Sequence, residues 1–209
     1  MEILVNTSNL TKMNIIELNK NPPVYIVKEL YNEEERFKIY NELLFLQHKL
    51  ADETATGPAE DDKGKTLTSK KGEWLEEVYA NRKMSDILNI NRKTYDIIKE
   101  IKHWYFSYKD SYTDYTLVSY YEEADYYKPH IDKCFITSIS WFYNKPKNFL
   151  GGNLQIPSLN LTIPCEDNTM VLFPGALLEH SVTEISMIDK NREKSGRFSI
   201  SQFVHIRSN

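Results

Sequence analysis

The sequence contains only two cysteines, Cys134 and Cys165, and they do not form a Cys-x-x-Cys pair, so no disulfide framework is implied. Long apolar runs are missing as well. None approaches the roughly 18–20 residues that a membrane helix needs, so no membrane association is expected. The opening Met1–Asn6 has neither the basic region nor the apolar core of a secretory signal, and a cytoplasmic location is the expectation. Charge of one sign is also scarce. Lys and Arg number 26 against 30 Asp and Glu, for a net charge of −4. The sequence pI near 5.8 gives no global attraction to a phosphate backbone, so no nucleic-acid partner is expected. There is no internal repeat. What is present is 209 residues with 41% hydrophobic and 27% charged content, which fits one soluble globular domain over residues 1–209.

The chain reads as a helix-rich front, residues 1–114, and a strand-rich back, residues 115–207. Asn32 followed by Glu33, Glu34 and Glu35 looks like a capped helix start. Phe37, Tyr40, Leu43, Leu44 and Phe45 then give a stripe that predicts a helix to about Leu50. A second stripe runs through Tyr95, Ile98, Ile101 and Tyr105. Between them, Ala51–Gly72 is rich in Gly, Pro and charge; it predicts a long loop, either a flexible tether or a lid over a site. From Tyr115 onward, short β-branched and aromatic runs alternate with turn signals such as Gly151-Gly152 and Pro174-Gly175. Many short strands argue for a sandwich or barrel, with helices supporting a curled β core.

Five histidines are available for chemistry. His48 and His103 fall on the predicted helices and His205 near the C-terminus, settings that suggest structural roles. His130-Ile131-Asp132 instead directs an imidazole and a carboxylate to one side of an extended backbone, and His180 opens a later strand-like segment. Two imidazoles and one carboxylate are the set used by mononuclear non-heme Fe(II) oxygenases, and a catalytic zinc site can use the same ligands. Arg197-Phe198-Ser199 offers a planar fork and a hydroxyl to a carboxylate from one strand face. Read alone, this segment equally allows Arg197 to face an enclosed cavity or solvent at a sheet edge.

Taken together, the blocks from Tyr120 to Val204 resemble the Fe(II)/2-oxoglutarate-dependent dioxygenases of the prolyl 4-hydroxylase-like branch. The matching text is Tyr121 ahead of His130-Ile131-Asp132, then Thr137–Asn144, Phe149–Leu154, Phe173-Pro174 before His180, and Gly196–Ser199. The resemblance implies a double-stranded β-helix (a jelly roll, cupin-like and mainly β) with helices packed on one side. It implies iron ligation by His130, Asp132 and His180. Arg197 would bind the distal carboxylate of 2-oxoglutarate with help from Ser199, and Tyr121 would reach the same co-substrate, with Tyr120 as the alternative register. Tyr127 is a further pocket-lining expectation, and Gly151-Gly152 a structural turn. The interval from His180 to Arg197 carries an inserted polar segment, which leaves Arg192 as a fallback for the clamp.

The implied chemistry is hydroxylation of an unactivated C–H bond using Fe(II), 2-oxoglutarate and O2, with ascorbate as a reductant and release of succinate and CO2. Asp132 as the carboxylate ligand disfavours halogenation. The implied substrate is a prolyl or other amino-acid side chain in a peptide or protein, with a free amino acid or small metabolite as the alternative. Tyr112, Tyr115, Tyr126, Tyr127, Trp141 and Tyr143 are candidates for an aromatic groove taking a stiff proline-rich chain. A cupin-like protein that binds a metal or ligand without turnover is the reading from another class.

Overall fold

In the computed structural model, which describes residues 14–52, 54–106 and 112–206, alternation of apolar and polar residues along long antiparallel strands creates two working faces. The strands are β1 (Asn14–Asn19), β2 (Val24–Lys28), β3 (Lys71–Trp74), β4 (Tyr112–Tyr121), β5 (Tyr127–His130), β6 (Ile136–Tyr143) and β7 (Phe149–Leu150). They continue with β8 (Leu154–Ile156), β9 (Leu161–Ile163), β10 (Thr169–Phe173), β11 (His180–Val182), β12 (Ser186–Met187) and β13 (Arg197–Ile206). The main sheet has seven strands in the order β1-β2-β10-β6-β13-β4-β3, facing a four-stranded sheet ordered β5-β11-β8-β9, with β12 paired to β7. This is the jelly-roll arrangement that the family resemblance implies, and it fits the sandwich or barrel that the short-strand pattern predicts.

One face of the main sheet carries the helices α1 (Glu33–Leu46), α2 (Leu75–Val78), α3 (Asp86–Ile90) and α4 (Lys93–Glu100). Phe198, Ile200 and Val204 of β13, Val118 and Tyr120 of β4, and Ile136 and Phe142 of β6 pack with Ile39, Leu43, Leu46, Ile97 and Ile98 in this layer. The neighbouring residues on the same strands face the second sheet, where Tyr121, Ile139, Trp141, Leu154, Phe173 and Leu178 form a separate apolar cluster. A period of two on each strand thus serves a helix layer and a cavity at once.

The front of the chain departs from the helical expectation. β1, β2 and β3 all belong to the main sheet, so residues before 115 build the β core as well as supporting it. The first helix starts as expected: Asn32 accepts from Glu35 N–H while the Glu35 side chain accepts from Asn32 N–H. Its buried face is nevertheless Ile39, Leu43 and Leu46. Phe37 is 67% exposed, and Leu44 and Phe45 also face outward. Of the expected stripe, Leu43 and Tyr40 therefore pack inward, whereas Phe37 and Leu44, seven residues apart, share the side opposite the sheet with Phe45 near them. The helix ends at Leu46, with a 3₁₀ turn at Gln47–Lys49 holding His48. The second predicted stripe is likewise cut short at Glu100, leaving His103 and Tyr105 beyond α4.

Candidate active site

His130 closes β5 and His180 opens β11, and the two are direct partners in the antiparallel ladder. Pairing brings their ring centroids to 4.3 Å. Asp132, two residues beyond His130, sets Oδ1 3.6 Å from His130 Nε2 and Oδ2 3.4 Å from His180 Nε2. One donor atom from each of the three residues falls within 4.8 Å of the others.

The imidazoles are held in one tautomer. His130 Nδ1 lies 2.8 Å from the Lys128 carbonyl and His180 Nδ1 lies 3.1 Å from the Leu178 carbonyl. A carbonyl oxygen only accepts, so each Nδ1 carries the hydrogen and each Nε2 presents its lone pair beside the carboxylate. Burial, reinforced by the neighbouring His180, pushes the His130 pKa down to about 4 against the opposing pull of Asp132. The Tyr127 ring stacks on His130 at 3.6 Å, and Phe173 meets His180 edge-on at 4.8 Å. Two neutral nitrogens and a carboxylate, with outer partners fixing ring and carboxylate orientation, can hold a divalent metal such as Fe(II) or Zn(II).

These groups open on a cavity of about 680 Å³. β13 lays Arg197, Ser199, Ser201, Phe203 and His205 along one wall, and burial falls from Arg197 and Ser199 outward to the half-exposed later residues. Arg197 is 1% exposed. Its Nε and Nη1 have no hydrogen-bond partner, and its guanidinium lies 4.0 Å above the Tyr121 ring. A buried cation with free donors fits an anionic ligand better than an empty cavity. Burial keeps the Tyr121 phenol protonated, its pKa raised above the usual value, so it can serve as a neutral donor.

The structure separates the two tyrosines that the sequence leaves in alternative register. β4 and β13 pair Tyr121 with Arg197 and Tyr120 with Phe198, so Tyr121 lines the cavity. Tyr120 turns to the helix side, where its hydroxyl accepts from Gly196 N–H. Arg192, the fallback clamp, lies at the surface and donates to the Pro146 carbonyl. Gly152 has φ +68°, and a Cβ there would stand 2.9 Å from Arg197 Nε. Gly151 has φ +76°, and a Cβ there would meet the Glu184 carbonyl oxygen at 1.9 Å. The first glycine therefore shapes the Arg197 pocket, while the second permits the close strand approach.

Of the aromatic residues expected around a groove, Tyr115, Tyr127 and Trp141 line the cavity, whereas Tyr126 and Tyr143 lie outside it. The Tyr112 side chain falls outside the described residues. His205 joins the outer wall beside Tyr115, with ring centroids 5.8 Å apart. The long loop also reaches the cavity, through Thr56, Gly57, Pro58 and Ala59. Trp74 Nε1 donates to the Thr56 carbonyl at 3.2 Å, and Ala59 N–H donates to the Tyr127 hydroxyl at 3.0 Å.

Two contributors are not read as site residues from the sequence. Thr137 donates to Asp132 Oδ2, and Lys70, at the end of the polar loop, buries its ammonium in the same cavity. A lysine in a Ser-Lys-Lys-Gly run reads as a solvated residue until the fold encloses it.

No family model and no curated protein matches the sequence. Solved structures do match in fold. A prolyl-4-hydroxylase from Pseudomonas putida is 10% identical with a TM-score of 0.59, covering 88% of this chain and 93% of its own. The viral collagen prolyl hydroxylase of Paramecium Bursaria Chlorella virus-1, in its 2OG complex, is 16% identical with a TM-score of 0.56, covering 87% and 94%. A prolyl hydroxylase from Trichoplax adhaerens, in complex with a hypoxia inducible factor oxygen degradation domain peptide fragment, is 11% identical with a TM-score of 0.61, covering 88% and 83%. The chain shares the fold of prolyl 4-hydroxylase-like 2-oxoglutarate/Fe(II) oxygenases along most of its length.

Proposed function

We propose that this protein is an Fe(II)- and 2-oxoglutarate-dependent dioxygenase that hydroxylates a prolyl or other amino-acid side chain in a peptide or protein. The observation that carries this reading is Arg197: a buried guanidinium with unpartnered Nε and Nη1 in the same cavity as a His-Asp-His cluster. A dicarboxylate co-substrate supplies the anion that such a cation calls for.

His130, Asp132 and His180 would hold the metal, with the Nδ1–H bonds and Thr137 keeping their donors aimed. Arg197 and Ser199 would take the distal carboxylate of 2-oxoglutarate, and Tyr121 would add its phenol hydrogen. When bound, Fe(II) with 2-oxoglutarate and O2 supplies oxidation of an unactivated C–H bond, yielding hydroxylated product, succinate and CO2. Thr56, Ala59 and Tyr127 line the approach and help exclude water from the inner cavity. Trp74, Tyr115 and Phe203 lie toward the outer end with Gly57 and Pro58 and offer flat apolar surfaces to an extended peptide.

The test is an anaerobic titration with Fe(II) and 2-oxoglutarate, read from the visible metal-to-ligand charge-transfer band, in wild type and His180→Ala. A band in wild type that is absent in the variant is expected. Substrate-dependent succinate release with proline-rich peptides follows. Release with free proline and none with peptides would replace the peptidyl reading, and no band in folded wild type would favour a binding protein without turnover.

A further inference from the structure

The cavity contains a second buried basic side chain. Lys70 is 4% exposed, and its Nζ donates to Ser119 Oγ at 2.8 Å. Ser119 lies opposite Ser199 in the β4–β13 ladder, one face-sharing step from the Tyr121–Arg197 pair, so the ammonium and the guanidinium come to adjoining parts of one wall. The charges that act on Lys70 are Arg197, which opposes its protonation, and Asp132, which favours it. Asp132 is already committed to Thr137 and flanked by the two imidazoles. Among the described residues neither Lys70 nor Arg197 forms a salt bridge with a carboxylate of the protein.

Two like charges buried side by side repel each other in a medium that screens poorly. Lys70 escapes the repulsion by giving up its proton, whereas an anion that both groups can reach stabilises the charged pair. With Lys70 protonated, the two cations and the single carboxylate leave the inner cavity positive, and a divalent metal raises that excess further. A doubly charged anion is what this arrangement lacks.

We propose that Lys70 acts with Arg197 as a two-cation clamp on the distal carboxylate of the co-substrate, making Lys70 a specificity-determining residue that selects dicarboxylate over monocarboxylate 2-oxo acids. The proposal rests on the dioxygenase reading above. Arg197 brings planar, directional donors, and Lys70 brings a compact point charge with two hydrogens beyond the one given to Ser119.

The experiment compares the wild type, Lys70→Met and Lys70→Arg as Fe(II) complexes under anaerobic conditions. Dissociation constants for 2-oxoglutarate and for pyruvate, which lacks the distal carboxylate, are taken from the charge-transfer band, so turnover is not needed. Loss of a charge-assisted contact predicts 2-oxoglutarate binding weaker by about tenfold or more in Lys70→Met, pyruvate binding unchanged, and recovery to within about threefold in Lys70→Arg. Unchanged 2-oxoglutarate affinity would overturn the proposal. Equal loss for both acids would also overturn it, since the distal carboxylate would then not be the group recognised. If circular dichroism shows Lys70→Met to be unfolded, Lys70→Gln serves with the same expectations. Absence of any band in the wild type would instead be a failure of the dioxygenase reading itself.

Discussion

Thr137 donates its hydroxyl hydrogen to Asp132 Oδ2 across 2.6 Å, fixing the rotation of the one carboxylate between the two imidazoles. The same hydroxyl lies 3.1 Å from Cys134 Sγ, and Gly175 packs so closely that a Cβ there would stand 2.4 Å from Thr137 Oγ1. Thr137→Val keeps the shape and removes the bond. Metal affinity is expected to fall by about tenfold to a hundredfold, the usual range for loss of a partner that orients a ligand. Competition against a chromophoric chelator measures it; an unchanged affinity would show that Asp132 is aimed by backbone geometry alone.

Gly152 and Arg197 set up a contrasting pair of substitutions. Gly152→Ala meets both a positive φ of +68° and a 2.9 Å approach to Arg197 Nε, so the guanidinium must shift. The expected result is 2-oxoglutarate affinity lower by about tenfold with metal affinity retained. Gly151→Ala drives a Cβ to 1.9 Å from the Glu184 carbonyl oxygen, a backbone atom with little room to yield. Its main effect should be a lower Tm. Reversal of the two phenotypes would contradict this division of roles.

The loop over the cavity is tied to the His-Asp-His cluster through the Tyr127 side chain. Tyr127 stacks on His130 and accepts from Ala59 N–H, so Tyr127→Phe keeps the stacking and loses the tether. One hydrogen bond contributes on the order of 1 kcal/mol. Trypsin cleavage after Lys63 and Lys65 should therefore accelerate by several-fold, while metal binding stays close to that of wild type. Equal cleavage rates would mean that Trp74 and the rest of the loop hold it without Tyr127.

Lys70 should also leave a mark on stability. Burial first, and then Arg197, pushes its pKa from 10.5 down to about 7. Between those values the unfolded chain holds a proton that the folded protein lacks, so this group makes stability rise with pH across that window. Below it, the charged lysine is buried at a cost. Lys70→Met removes both the cost and the rise, so its stability gain over wild type should be greatest at about pH 6.5 and shrink toward about pH 9.5. Urea denaturation of the metal-free protein without dicarboxylate checks this; a gap independent of pH would contradict it.

Much of the site was legible in the sequence because its chemistry is local. His130 and Asp132 are two residues apart, and Arg197 and Ser199 share a strand face by the period of two. What was not legible depended on choices between equivalent patterns. Apolar residues occur on both sides of α1, and only the docking of Ile39, Leu43 and Leu46 on the sheet decides which side is buried. Val24–Lys28 becomes a strand by pairing with β10, a partner far along the chain.

The sequence by itself determined a domain rich in short strands, a His-x-Asp pair directed to one side of the backbone and an Arg-x-Ser pair on one strand face, since these follow from side-chain chemistry and backbone periodicity. Tertiary structure decided that Tyr121 rather than Tyr120 faces the cavity, because the β4–β13 register assigns faces and a slip of one residue would exchange them. It also decided that Lys70 is buried in the same cavity as Arg197. Burial and nearest charge belong to the folded chain, where residues distant in sequence close around one another and exclude water.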